Sequence, residues 1–427
     1  MNRKLKKRIK RVLAPITKRN SFIRKNYRKF MRAKRKRNYI KNHMYIQTEE
    51  KTVLFESYQG RSFGCSPKAI FLKMFNDDEY SDYKFIWIFR KRQKYLELFE
   101  LEGLLDGRVE VVKCNTKAHR DAFARSKYFI VNTRIPNYIE KKPEQYYVQC
   151  WHGTPLKRLG HDIIPDTKAA NNSHDELLAM NDRDAIRYDY FLSPSKFASD
   201  KFISSFNLKQ LNKENTILEK GYPRNDYLFN YRTEDISRIK EKYGIPEDKK
   251  IILYAPTWRD DQHKAGEGYT YKTEADFDYL RDELSNDYVI LFRAHYYIAN
   301  KFDFEKYENF VIDVSAVDDI NELYVVSDIL ITDYSSVFFD YANLKRPIIF
   351  FMYDLKHYMR NLRGFYFGLE ELPGKIVKEE KDVIKIINNL DKYELDNEKK
   401  YSDFNKKFTY LDDGKASERV IKTLFKE

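Results

Sequence analysis

The 427-residue chain holds no stretch of about 18 consecutive apolar residues, which removes a membrane-spanning helix from consideration. Its basic N-terminus also lacks the apolar core of a secretory signal, so the expected location is the cytoplasmic side of a membrane. Cysteine is scarce: Cys65, Cys114 and Cys150 are odd in number and lack metal-ligand spacing, which fits small, buried, reduced thiols. No GxxxxGK[ST] loop occurs, and that argues against an ATP-driven enzyme. Internal repeats, long linkers and low-complexity tracts are also missing after the first 48 residues. Those 48 residues have no Asp or Glu and hold 19 Lys and Arg. The rest of the chain carries 60 of the 79 basic residues against all 65 acidic ones, so the net charge of +14 belongs entirely to one segment.

Within that segment Leu5, Ile9, Val12, Leu13 and Ile16 recur at helical spacing among cations, and Phe22, Ile23, Tyr27, Phe30 and Met31 follow after a break near Pro15. Such a helix suits a membrane interface, with its apolar face down and its cations toward anionic headgroups. Each basic residue near that surface contributes at most about 1 kcal/mol, and salt weakens it. A nucleic-acid-binding arm and a solvated tail are the competing readings. The apolar stripe favours the membrane, since phosphate neutralisation alone does not need it. A mildly acidic body without a basic, aromatic-lined groove speaks further against nucleic acid.

From about residue 50 onward, short β-rich runs alternate with helical stretches, which predicts an α/β protein with parallel sheets covered by helices. The first series is TVLFES, YKFIWIF, VEVVK, KYFIVN, YYVQCW and YDYFLSP. The second is KKIILYAP, DYVILFRAH, NFVIDV, DILITDY and RPIIFF, with GYPRNDYLF and a charged helix at 233–243 between the two. The expected division is 1–48 as the membrane-associating segment, 49–230 as one doubly wound domain, and 231–427 as a second that includes the C-terminal helix. In such sheets ligands sit at the carboxyl ends of the strands.

Polar residues cluster at those ends. In DILITDYSSVFFD, Ser335 and Ser336 fall where a helix begins, and its amides and dipole favour a phosphate. Asp340, four residues after Ser336, is placed to accept hydrogen bonds from a ribose. YVILFRAH puts Arg293 and His295 beyond another strand, two groups able to meet a diphosphate. IILYAPTWRDD ends with Arg259 among acids. In the first domain YYVQCWHGTPLKRLGHD ends a strand at His152, Gly153 and Thr154, and Pro155 suggests a helix start with Lys157 and Arg158 beside it. Gly153 lets a backbone approach a ligand. His152 and His295 stand out by their expected cleft positions, whereas His43, His119, His263 and His357 do not, and His161 and His174 stay undecided. No cluster has metal-ligand spacing; Asp260 and Asp261 alone are too weak a signal for one, and a Mg²⁺ accompanying a phosphate ligand stays open.

Taken together, WHGTPLKRLG, GYPRND, YAPTWRDD, RAH, TDYSSVFFDYANLKRPIIFF, RGFYFGLEELPG and DGKASERV resemble the CDP-glycerol glycerophosphotransferase family, which includes teichoic acid primases and polymerases of Gram-positive bacteria. The resemblance covers roughly residues 50–425. It implies a GT-B-type fold of two Rossmann-like halves, monotopic attachment to the cytoplasmic leaflet, CDP-glycerol as donor and a lipid-linked polyol-phosphate acceptor. CDP-ribitol, or a capsule acceptor, would use the same phosphate-binding residues. On resemblance and position His152 is the general base on the acceptor hydroxyl, while Arg293 and His295 steady the diphosphate. Ser335 and Ser336 hold a donor phosphate, Asp340 meets the ribose, and Asp333 orients its loop. Arg224 and Arg259 are further phosphate contacts, and Lys157 and Arg158 face the acceptor's phosphates. A noncatalytic nucleic-acid-binding protein is the reading from a different class.

Overall fold

The computed structural model describes residues 21–164, 174–257, 263–264, 268–269, 275–294, 304–356, 358 and 364–425. Its first sheet comprises β1 (Glu49–Glu56), β2 (Lys84–Phe89), β3 (Val109–Lys113), β4 (Ser126–Val131), β5 (Tyr146–Gln149), β6 (Tyr190–Ser193) and β7 (Ile217–Glu219). These strands lie in the order β3-β2-β1-β4-β5-β6-β7, every neighbouring pair parallel. After β8 (Lys250–Ala255) comes a small antiparallel pair, β9 (His263–Lys264) and β10 (Gly268–Tyr269). With β8, the strands β11 (Tyr288–Phe292), β12 (Val311–Asp313), β13 (Ile329–Thr332), β14 (Ile348–Phe351) and β15 (Lys375–Val377) complete a second parallel sheet, in the order β12-β11-β8-β13-β14-β15.

Near-continuous apolar runs form these strands because helices cover both faces. Alternate residues of one strand therefore enter different cores. Val53 and Phe55 pack on one face of the first sheet and Leu54 on the other; in the second sheet Ile251 and Leu253 oppose Ile252 and Tyr254. Every run expected to be a strand carries one. The edge strands β7 and β15 escaped the sequence reading, being three residues long and only partly buried. The charged helix spans Thr233–Tyr243 and stops at Gly244, whose φ of 65° provides a left-handed cap.

The C-terminal helix Ala416–Leu424 departs from the expected division. Val420, Ile421, Leu424 and Phe425 join the core beneath the first sheet, and Asp226 caps the helix by accepting from the Ala416 and Ser417 N–H groups at 2.8 and 2.7 Å. The end of the chain thus belongs to the first lobe. Lys68 to Asp319 and Lys94 to Asp318, both 2.9 Å, tie the lobes together across their seam. Of the basic segment, residues 1–20 lie outside the described residues, while Ser21–His43 is a helix docked by its C-terminal end. Tyr39 is fully buried there, and His43 Nδ1 meets Asp121 at 2.7 Å. Toward its other end Phe30 is 63% exposed and Ile23 40%.

Candidate active site

In both sheets the strand order reverses beside the first strand, which opens a crevice between β1 and β4 and another between β8 and β13. One device closes each loop pair. The Tyr58 N–H after β1 donates to Asn132 Oδ1 after β4 at 2.7 Å, and the Thr257 N–H after β8 donates to Asp333 Oδ1 after β13 at 2.8 Å. Asp333 also accepts from the Tyr334 N–H and is buried, the geometry of a residue that shapes its loop.

His152 follows β5 through Trp151, whose φ of 51° turns the chain sharply. Its Nδ1 lies 2.8 Å from the Asn132 carbonyl oxygen. A carbonyl only accepts, so Nδ1 carries the proton and Nε2 presents a lone pair. The side chain reaches solvent yet has protein on most sides. This desolvation brings its pKa down to about 4, against the Asn132 hydrogen bond, with Arg224 and Arg134 pushing the same way as burial. The imidazole is therefore neutral at pH 7. Tyr58, which sequence reasoning missed, sets its ring edge toward it at 5.8 Å between centroids. Its φ of 49° is a backbone feature with no sequence signature.

The second lobe closes on this residue. A Cβ added to Gly153 would lie 3.0 Å from Ser336 Oγ, so glycine permits the approach of the opposite wall. Ser335 and Ser336 are half-buried, and the short helix Val337–Tyr341 begins immediately after them, as expected. Arg293 donates from Nη1 to the carbonyls of Val314 and Val317 at 3.1 and 3.0 Å. Burial holds its pKa down, and Tyr58 from the other lobe is among the groups opposing that shift. His152, Gly153, Tyr58, Arg293 and Ser336 are thus gathered at one cleft. His295 and Arg259 lie outside the described residues.

Three expectations, for Asp340 at a ribose, Arg224 at a phosphate and a helix from Pro155, need correction. Asp340 does not face an open ribose site: it is 6% exposed, and its Oδ1 accepts from Arg224 at 2.8 Å and from Asn225 at 3.1 Å. Arg224 is held in the same hub, so its charge is already paired; burial opposes that charge, but Asp340 foremost keeps the pKa well above the usual arginine value. Asn225 also donates to Asp412 at 2.6 Å. Burial pushes the Asp412 carboxyl up to about 7, against hydrogen bonds from the Tyr222 N–H and the Asn225 and Asn343 amides, with Asp340 adding to the rise. Nor does a helix begin at Pro155. Residues 154–159 run as an extended strap because their backbone groups bond across the seam: Arg158 N–H to Gly364 O at 2.9 Å, and Tyr366 N–H to Leu156 O at 3.0 Å. Thr154 is buried in this strap, and Lys157 Nζ sits 5.2 Å from the Tyr358 ring centroid.

The sequence pattern of the family described as CDP-Glycerol:Poly(glycerophosphate) glycerophosphotransferase matches residues 38–426. The teichoic acid poly(glycerol phosphate) polymerase of Bacillus subtilis (strain 168) is 41% identical over 99% of this chain and 54% of its own, so the chain spans about half of that relative. The protein of the same description from Bacillus spizizenii (strain ATCC 23059 / NRRL B-14472 / W23) is 39% identical, covering 89% of this chain and 93% of its own. A solved structure of the wall teichoic acid polymerase TagF superimposes with a TM-score of 0.80 at 39% identity, over 93% of each chain. Two Rossmann-like lobes across a cleft make the fold GT-B in type. With the pattern matched over most of its length, the chain belongs to the CDP-glycerol:poly(glycerophosphate) glycerophosphotransferase family.

Proposed function

We propose that the protein transfers glycerol phosphate from CDP-glycerol to a hydroxyl of a lipid-linked poly(glycerol phosphate) acceptor, in wall teichoic acid synthesis at the cytoplasmic face of the membrane. The observation that carries this reading is His152, with its Nε2 lone pair directed by the Asn132 carbonyl and its loop facing Ser336. The acceptor hydroxyl gives its proton to Nε2 as its oxygen bonds to the glycerol-bearing phosphorus; the bond from that phosphorus to the bridging oxygen breaks, and CMP leaves with the electron pair. With a second phosphate pKa of about 6, CMP needs no obligatory protonation. A positioned base accounts for roughly 10²–10⁴-fold. Before the donor binds the imidazole is a weak base, and the negative diphosphate arriving beside it raises its proton affinity. Arg293, with His295, steadies the diphosphate, and Ser335 and Ser336 hold a donor phosphate. Any Mg²⁺ would travel with the donor, since this reading assigns no protein-held metal.

Glycerol is preferred to ribitol as the transferred unit because the relatives near 40% identity carry glycerol phosphate in their descriptions, whereas the poly(ribitol-phosphate) polymerase of Bacillus spizizenii is 29% identical. The test incubates the protein with CDP-glycerol or CDP-ribitol and lipid-linked acceptors bearing no, one or several polyol phosphates, and weighs the products. Mass increments of one or more glycerol phosphates are expected, and His152→Ala should abolish CMP release. Ribitol increments, or near-normal turnover by that variant, would overturn the donor or the base respectively.

A further inference from the structure

The first lobe contains a second polar crevice that the reaction above does not use. A cavity of about 270 Å³ lies at the carboxyl ends of β1 to β4, lined by Arg90, Arg134, Arg183 and Arg187 together with Glu56 and His119. That volume is far above the ~10–15 Å³ a single water needs. Arg187 is neutralised by Asp184. Among the described residues the other three guanidiniums show hydrogen bonds only to neutral groups or none: Arg90 to Gln59 and Arg134 to Asn181. His119 is buried, and its Nδ1 receives the Asn115 N–H at 3.4 Å, which leaves the ring proton on Nε2. That Nε2–H has no hydrogen-bond partner among the described residues; Glu56 Oε2 is 3.8 Å away. Such a donor beside three guanidiniums that make no direct ion pair among the described residues calls for an acceptor with several oxygens.

Glu56, Cys114 and His119 also bring one ligand atom each within 4.8 Å of one another. A cation is nevertheless the poorer occupant. The Nε2 proton occupies the lone-pair position a metal would need, burial and then Glu56 push the Cys114 thiol up to about 12, and the surrounding guanidiniums repel positive charge.

The position of the cavity identifies the anion. On its wall Gln59 follows directly from Tyr58 and Arg134 lies two residues after Asn132, and Tyr58 and Asn132 are the residues that face and orient His152. On its other side Arg183 belongs to the helix His174–Ala185, which Arg28 of the basic helix grips through Glu176 at 2.9 Å. We propose that this cavity binds a phosphodiester of the acceptor chain behind the hydroxyl delivered to His152, with Arg90, Arg134 and Arg183 as its cationic contacts. The inference rests on the transferase reading and gives it an acceptor subsite between the basic helix and the base.

The test is calorimetric titration of the full chain with soluble tri(glycerol phosphate), with parallel arms using inorganic phosphate and phosphatidylglycerol vesicles. CMP release from CDP-glycerol by the unaltered protein serves as the control for the underlying reading. Arg183→Glu should weaken oligomer binding roughly tenfold or more and raise the acceptor KM without raising that for CDP-glycerol, while Arg183→Lys should retain much of the binding. Arg183 is exposed, so the replacements leave the core intact. Equal oligomer binding by Arg183→Glu and the unaltered protein would overturn the subsite. An Arg183-dependent response to vesicles or inorganic phosphate without one to the oligomer would overturn the assignment to the acceptor.

Discussion

At the scale of single residues, the tautomer of His152 makes a definite prediction about pH. In the free protein its pKa is about 4, so the acid limb of kcat/KM should fall near there, whereas the limb of kcat should lie higher because bound diphosphate favours the imidazolium. Coincident limbs near pH 6.5, the ordinary histidine value, would remove this account. The depressed pKa also has a sign for stability. The unfolded chain takes up this proton from about pH 6.5 downward while the native one refuses it until about 4, so stability drains away as pH falls through that window. Asp340 predicts differently. Removing it strands Arg224 as a buried, unpaired cation, so Asp340→Ala should cost about 3–5 kcal/mol in urea unfolding. Unchanged stability with a raised KM for the donor would return it to the ribose.

Among the elements, the helix Ser21–His43 buries Tyr39 near its C-terminal end, is held again through Arg28 and Glu176, and leaves Phe30 and Ile23 exposed to solvent. Deleting residues 1–44 should weaken binding to anionic vesicles, more visibly at low salt; undiminished binding in a sedimentation assay would dismiss the helix as an anchor. Most of the strands were legible because a parallel sheet covered on both faces needs uninterrupted apolar runs, and KFIWIF or KIILYA has few other uses. The strap after His152 was not, since proline fits a first helical turn and an extended segment equally well, and only the carbonyls of distant partners decide between them. Asp340 was misjudged for a similar reason: its spacing from Ser336 was visible, but Arg224, 116 residues away, was not identifiable as its partner. His119 was set aside among the histidines without an expected cleft position, because the cavity it lines is assembled from several separate stretches of chain.

For the whole molecule, the return of the last helix makes the first lobe's core depend on residues made after the second lobe. Val420, Ile421, Leu424 and Phe425 each bury a large apolar side chain, worth roughly 1.5–3 kcal/mol apiece. Truncation after Gly414 should therefore lower the midpoint of first-lobe unfolding, followed by Trp87 fluorescence; an unshifted transition would show that the lobe is self-sufficient. Legibility ended at this scale too, for the amphipathic pattern of SERVIKTLFKE announced a helix but not the surface that receives it. The strap from Thr154 to Leu159 has a last consequence. Because it is fastened to residues 364–366 yet continues directly from His152, a hinge motion that pulls the halves apart also drags the proton acceptor off its line. On the transferase reading, an unlatched protein would be poorly armed to cleave an activated nucleotide with water, and the stitches that align transfer would also discourage wasteful hydrolysis.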